Sequence, residues 1–257
     1  MKRTTTLKAL PGLNSVKQLL VEWIVLPLKF PQLFVANWRH PLLIQLNGPS
    51  GSGKSQLIAA CAEECLVPLY SVSCEDLIRE PNSERSIREV FSHARSNAPA
   101  VLLISHIEAM CSDEEHDYFR RLNTELLINL TPHTNENNQL LIVLTCTTPW
   151  HQLRALRRRV EREVYVPLPD AVRRRAMLQK AVQLASEAEY CLAADLAEGL
   201  SFWEIQRTVC SAMLHSATTD PPIPLLNALT TAFRLTSPST DALTIEHFQT
   251  YVTERSD

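Results

Sequence analysis

Residues Gly48-Pro49-Ser50-Gly51-Ser52-Gly53-Lys54-Ser55 follow a short apolar run, Leu42 to Leu46, and open a helical pattern, Ser55 to Cys65. A strand, a glycine loop and a helix start in this order form a phosphate cradle, which constrains the fold more than any other feature of the chain. Successive backbone N–H groups of such a loop wrap the α- and β-phosphates, and the helix start adds its positive dipole end. Lys54 reaches the β/γ oxygens and the Ser55 hydroxyl ligates Mg²⁺. Only 5 of the 257 residues are glycine, where an average content of about 7% gives roughly 18. Three of the five fall between Gly48 and Gly53. A turn without a ligand needs neither this lysine nor this hydroxyl. The expectation is ATP with Mg²⁺, bound by Gly48, Pro49, Ser50, Gly51, Ser52, Gly53, Lys54 and Ser55, with Ser55 on the metal.

Apolar spacing sets the surroundings of this loop. Five short runs read as buried strands: Leu42 to Leu46, Val67 to Val72, Val101 to Ile104, Leu140 to Leu144 and Val164 to Val166. Helical patterns lie between them at Ser55 to Cys65, Glu84 to Arg95, Tyr118 to Leu130 and His151 to Arg159, and one precedes them at Leu13 to Leu26, where Pro27 and Pro31 break the spacing. Alternation of this kind predicts βαβ crossovers and a mainly parallel five-stranded sheet, an α/β fold of the P-loop NTPase type. From Asp170 onward only helices are read, at Ala171 to Leu184, Ala193 to Glu198, Ser201 to His215 and Thr244 to Glu254, with a Pro-rich connection at Asp220 to Pro224. A boundary near Pro169 therefore divides an α/β domain, 1–169, from an all-helical domain, 170–257.

Composition excludes several functions. A net charge of −3 offers no global basic field for nucleic acid or anionic membrane. The basic stretch Arg154 to Arg162 is short and has no interleaved aromatics. Seven scattered cysteines without a CxxC pair read as reduced, mostly buried thiols. Cys61 and Cys65 share a helix face but lack further ligands for a metal. His106, His116 and His151 are dispersed. No apolar run reaches 18 residues and the amino terminus has no signal-peptide core, so a soluble, cytoplasmic chain without a transmembrane segment is expected.

Several phrases together resemble the AAA family of ATPases, in particular the group of katanin, spastin, fidgetin and the vacuolar protein sorting ATPase that disassembles ESCRT filaments. They are Gly12-Leu13 followed by LPLKFPQLF (Leu26 to Phe34), the phosphate loop, SVSCEDL (Ser71 to Leu77), SERSIREVF (Ser83 to Phe91), RRLNTELLINL (Arg120 to Leu130) and ALRRRVEREVYVPLPD (Ala155 to Asp170). The resemblance implies that the helical domain is a lid, with ATP between the two domains. It further implies a ring, usually of six subunits, in which a neighbour's arginines complete each site. Arg158 and Arg159 match the arginine-finger position, where a cation reaching the γ-phosphate in trans stabilises the transition state. A solvated basic helix end remains the plain alternative for this run.

The chain departs from that family at several motifs. Relatives end their third strand in Asp-Glu, which holds Mg²⁺ and polarises the attacking water; here Ser105 and His106 stand in those places. Serine is neutral, and histidine, with an ordinary pKa of about 6.5, lacks the carboxylate charge. Glu108 lies two residues further on. The sensor asparagine is replaced in Cys146-Thr147-Thr148-Pro149, leaving the Thr147 hydroxyl, and Ile78 to Asn82 has no aromatic of the kind that grips a threaded polypeptide. Phe202 stands where the family's lid phrase has glycine. The short stretch ahead of Gly12 carries the expectation of no amino-terminal recruiting domain.

These readings converge on an ATP-binding subunit with degenerate catalytic motifs, weak or absent hydrolysis, and a regulatory or structural place in a homo- or hetero-oligomeric ring with related subunits and protein partners. The alternative is an active ATPase that remodels or disassembles protein filaments. A small-molecule P-loop kinase and an interaction module without nucleotide are further alternatives.

Overall fold

The computed structural model describes residues 6–33, 43–111, 117–131, 140–219 and 223–256. Leu42, Phe34, His116 and residues 220–222 of the Pro-rich connection, all used in the sequence reading, lie outside them. The chain divides into two compact units. One comprises Met1–Leu10, Asn14–Asn47 and Lys54–Tyr165; the other comprises Pro11–Leu13, Gly48–Gly53 and Val166–Asp257.

The first unit is built on five strands, β1 (Leu43–Asn47), β2 (Leu69–Ser73), β3 (Ala100–Ser105), β4 (Leu140–Cys146) and β5 (Arg162–Tyr165). They form one sheet in the order β2-β3-β4-β1-β5, and every pairing is parallel. β1, the first five residues of β3 and all of β4 are buried throughout, as strands covered on both faces must be. The register sets Asn47 beside Cys146 and Ser73 beside Ser105. The carboxyl ends of β1, β3 and β4 therefore share one edge, where ligands bind in open parallel sheets.

The helical chain begins with α1 (Asn14–Leu20), a π-helical stretch Val21–Val25 and α2 (Leu26–Lys29). Pro27 does not end the helix, contrary to the expectation from its spacing. It sits in the first turn of α2, and the widened π turn admits a residue with no N–H to donate. α3 (Lys54–Cys65) follows the phosphate loop. α4 (Cys74–Arg79) and α5 (Ser83–Ser96) lead to β3, and α6 (Asp117–Leu130) and α7 (Arg154–Arg157) complete this unit. Ile87, Phe91, Leu122, Leu126 and alternate side chains of β3 and β4, among them Leu102, Ile104, Ile142 and Leu144, share one core. Gln45, wholly buried in β1, is satisfied by a reciprocal amide pair with Gln152 at 3.0 and 2.8 Å.

The second unit holds α8 (Ala171–Ala181), α9 (Glu187–Leu196), α10 (Phe202–Thr218), α11 (Leu225–Leu235) and α12 (Ala242–Ser256). Met177, Leu178, Val209, Leu229 and Phe233 form its core. Caps set the starts: Asp170 accepts from Arg173 N at 2.7 Å, and Ser201 and Glu204 form a capping box on α10. Two of the seven thiols, Cys191 and Cys210, are exposed rather than buried. Both stand on exposed faces of α9 and α10, which apolar neighbours in sequence do not reveal.

Candidate phosphate-loop site

β1 runs straight into Gly48, and α3 starts at Lys54. Gly51 (φ +71°) and Gly53 (φ +99°) take left-handed backbone that side chains with a Cβ disfavour. A Cβ at Gly51 would also stand 2.6 Å from the Ser201 hydroxyl. Within the second unit the loop is held by Trp203 N–H, which donates to the Gly51 carbonyl at 3.1 Å. Ser52 Oγ is buried and has no hydrogen-bond partner among the described residues.

Lys54 is buried, and burial pushes its ammonium down to about 8, against the opposing pull of Glu108 and Cys146. A desolvated cation at the start of a helix gains most when an anion arrives, because the low dielectric that penalises its charge also strengthens its pairing. Ser55, one position on, is exposed. A loop with left-handed glycines, an orphan hydroxyl among the described residues and a buried lysine suits the phosphates of a nucleotide. When bound, the Mg²⁺ of such a nucleotide would be held by Ser55.

The two positions after the β3 core do not supply a carboxylate. Ser105 Oγ donates to the Val72 carbonyl at 3.2 Å, and so it is spent on the neighbouring strand. His106 has φ +57°, a strained value for a residue other than glycine, and its ring is 44% exposed. Its Nδ1 lies 3.5 Å from Glu108 Oε1. Thr147 Oγ1 donates to the same Glu108 oxygen, while Glu108 Oε2 is buried without a hydrogen-bond partner among the described residues. The structure thus gathers Lys54, His106, Glu108 and Thr147 at the carboxyl edge of the sheet. Glu108 carries more of this cluster than its place in the sequence suggested. The β3 end is followed by a single short turn, Ile107–Cys111, which folds the residue back.

Arg158 and Arg159 follow α7 and both are exposed. Arg159 Nη1 donates to the Ala155 carbonyl at 3.0 Å; the Arg158 backbone N–H donates to the Arg154 carbonyl at 3.1 Å, and its side chain makes no hydrogen bond or ion pair among the described residues. The turn at Ile78 to Asn82 is tied down by Tyr118, whose hydroxyl donates to the Ile78 carbonyl at 2.7 Å. Phe202 is buried at the start of α10 and Trp203 is exposed. Arg173, which sequence reasoning passed over, is buried against the loop. Its one signal was the run Arg173-Arg174-Arg175 directly behind a helix cap. Among the described residues there is no cluster of metal-ligating side chains, and no helix is long and apolar enough to cross a membrane.

Comparison with known proteins places this geometry. Residues 44–168 match the family described as "ATPase family associated with various cellular activities (AAA)". Vacuolar protein sorting-associated protein 4 of Dictyostelium discoideum is 33% identical over 215 residues, covering 79% of this chain and 48% of that protein. The chain thus spans about half the length of that curated relative. The crystal structure of the FIGL-1 AAA domain superposes with a TM-score of 0.86 at 23% identity, covering 97% of this chain and 89% of that one. A structure described under katanin self-assembly superposes at 0.80 with 25% identity, covering 96% and 90%. By its five-stranded parallel sheet, its phosphate loop and these matches, the chain carries a domain of the AAA ATPase family.

Proposed function

We propose that the protein is a nucleotide-binding subunit of an AAA ring that takes up Mg²⁺-ATP at Gly48–Ser55 and hydrolyses it slowly or not at all. The observation that carries this reading is the end of β3, where Ser105 is engaged with Val72 and His106 is turned outward, so neither place offers a carboxylate. Without that charge a water beside the γ-phosphate loses its polarising base and the cation loses an anionic partner. The exposed Arg158 and Arg159 are free in geometry to act on a neighbouring subunit's nucleotide, which gives a catalytically silent subunit a regulatory role. Ring partners related to the chain are supported by the likeness to the katanin structure.

The test is a pair of measurements on purified protein: equilibrium binding of labelled ATP and steady-state phosphate release. Binding that Lys54→Ala abolishes, with turnover far below the ~1 per second of an ordinary enzyme, is the expected result. Turnover near ~1 per second that depends on Lys54 would contradict it.

One observation favours a second reading, that of an active filament-remodelling ATPase. Glu108 is paired with Thr147, carries an unpartnered buried oxygen, and lies close enough to Lys54 to act on its titration. In that case Glu108→Gln lowers residual turnover by at least about a hundredfold, the usual worth of a general base; under the first reading it changes turnover little.

A further inference from the structure

Arg173, the third residue of α8, is only 5% exposed, yet no carboxylate lies within ion-pair distance of its guanidinium among the described residues. The partners its guanidinium touches among the described residues are neutral. Nη2 donates to the Ser52 carbonyl of the phosphate loop at 3.3 Å, Nη1 reaches the Pro167 carbonyl at 3.5 Å, and the guanidinium stacks on the Phe202 ring at 5.5 Å. Nε is buried and has no hydrogen-bond partner among the described residues. The nearest acid, Asp170, spends an oxygen on the Arg173 backbone N–H. The side chain packs closely over two glycines: its Cγ lies 2.9 Å from where a Cβ on Gly12 would stand, and its Nη2 lies 3.6 Å from the corresponding point on Gly53. A buried cation with an idle N–H and no carboxylate in direct contact is costly in an empty protein. Burial pushes its pKa down to about 10, offset only in part by Asp170. That cost is recovered when a polyanion binds nearby, since coupling between charges is strong where water is excluded.

We propose that Arg173 is a second cation of the phosphate loop, adding to Lys54, and that it makes the loop favour highly charged polyphosphates over nucleoside monophosphates. The proposal rests on the reading of Gly48–Ser55 as a nucleotide site and assigns one more residue of this chain to it. Arg173 positions the loop through the Ser52 carbonyl and contributes its charge to the bound phosphates.

The experiment is fluorescence or calorimetric binding of ATP, inorganic tripolyphosphate and AMP to the wild-type chain and to Arg173→Met, Arg173→Lys and Lys54→Ala. Methionine keeps much of the apolar stem and removes the charge. Arg173→Met is expected to weaken ATP and tripolyphosphate by at least about tenfold, as loss of a charged hydrogen-bonding group does, while AMP changes little and Arg173→Lys recovers part of the loss. A purely structural role would weaken all three ligands alike and would not be rescued by lysine, and that result overturns the proposal. Unchanged or tighter ATP binding in Arg173→Met also overturns it, the tighter case meaning that the side chain obstructs the loop. If wild-type protein shows no ATP binding that Lys54→Ala removes, the nucleotide reading itself falls and the proposal falls with it, a pattern distinct from the other two.

Discussion

At the scale of single residues, Lys54 makes the sharpest prediction. Its value in the fold, about 8, lies below the 10.5 of an ordinary lysine. The unfolded chain therefore holds more protons between about pH 8 and 10.5, and the nucleotide-free fold gains stability as pH rises through that window. Binding an anion requires the protonated form, so ATP affinity is expected to fall as pH rises past about 8. Lys54→Met is expected to raise the thermal midpoint of the free protein at neutral pH while abolishing ATP binding. Thermal unfolding and ATP titration at pH 7 and pH 9 check both, and a midpoint lowered by Lys54→Met would contradict the account of the buried cation. Glu204 shows the opposite sign. Burial opposes its charge, but hydrogen bonds from Ser201 and Ser239 hold its carboxyl below the usual range. The stability it contributes is present above its unfolded pKa and is lost as pH falls through the folded value.

At the scale of elements, apolar runs located all five strands to within two residues; for β1, β3 and β4 the reason is burial on both faces, which demands a continuously apolar run. Helix α11 was invisible: Leu225-Leu226-Asn227-Ala228-Leu229-Thr230-Thr231 mixes helix formers with β-branched threonines behind a Pro-rich stretch, and only packing of Ala228, Leu229 and Phe233 fixes it as a helix. The start of α9 was missed for a related reason, since the cap Ser186 lies seven residues upstream of Ala193, where the helical pattern was read to begin. Of the site, Gly48–Ser55 was legible because its chemistry is contiguous in sequence. Glu108 with Thr147, and Arg173 with Ser52, were not, because each contact joins residues far apart in the chain. Two element-scale outcomes follow from packing and capping. Leu144→Ala, at a fully buried site in β4, is expected to cost about 2–5 kcal/mol of stability. Ser201→Ala, which removes the cap of α10, is expected to cost about 1 kcal/mol and to loosen ATP binding, since α10 also donates Trp203 N–H to Gly51. Chemical denaturation reads both, and a cap variant with unchanged stability would show that α10 is held by packing alone.

At the scale of the whole molecule, the fold is that of an AAA ATPase domain, and β3 ends in Ser105 followed by His106, the two places on which the proposed loss of hydrolysis rests. Under the proposed function, the role of the chain is exercised in an assembly. In a mixed ring with an active relative, Arg158→Ala is expected to leave this chain's own ATP binding unchanged and to lower hydrolysis at the adjoining sites by about a thousandfold, within the range known for arginine fingers. Equal activity of mixed rings with and without Arg158 would remove the role in trans. The central claim, binding without efficient turnover, is tested most directly by steady-state ATP hydrolysis of the wild-type chain beside Ser105→Asp/His106→Glu, with ATP affinity measured in both. The account predicts similar affinity, little wild-type turnover and a gain of at least about a hundredfold on restoring the acidic pair. Brisk, Lys54-dependent turnover in the wild type that the double substitution leaves unimproved would contradict it.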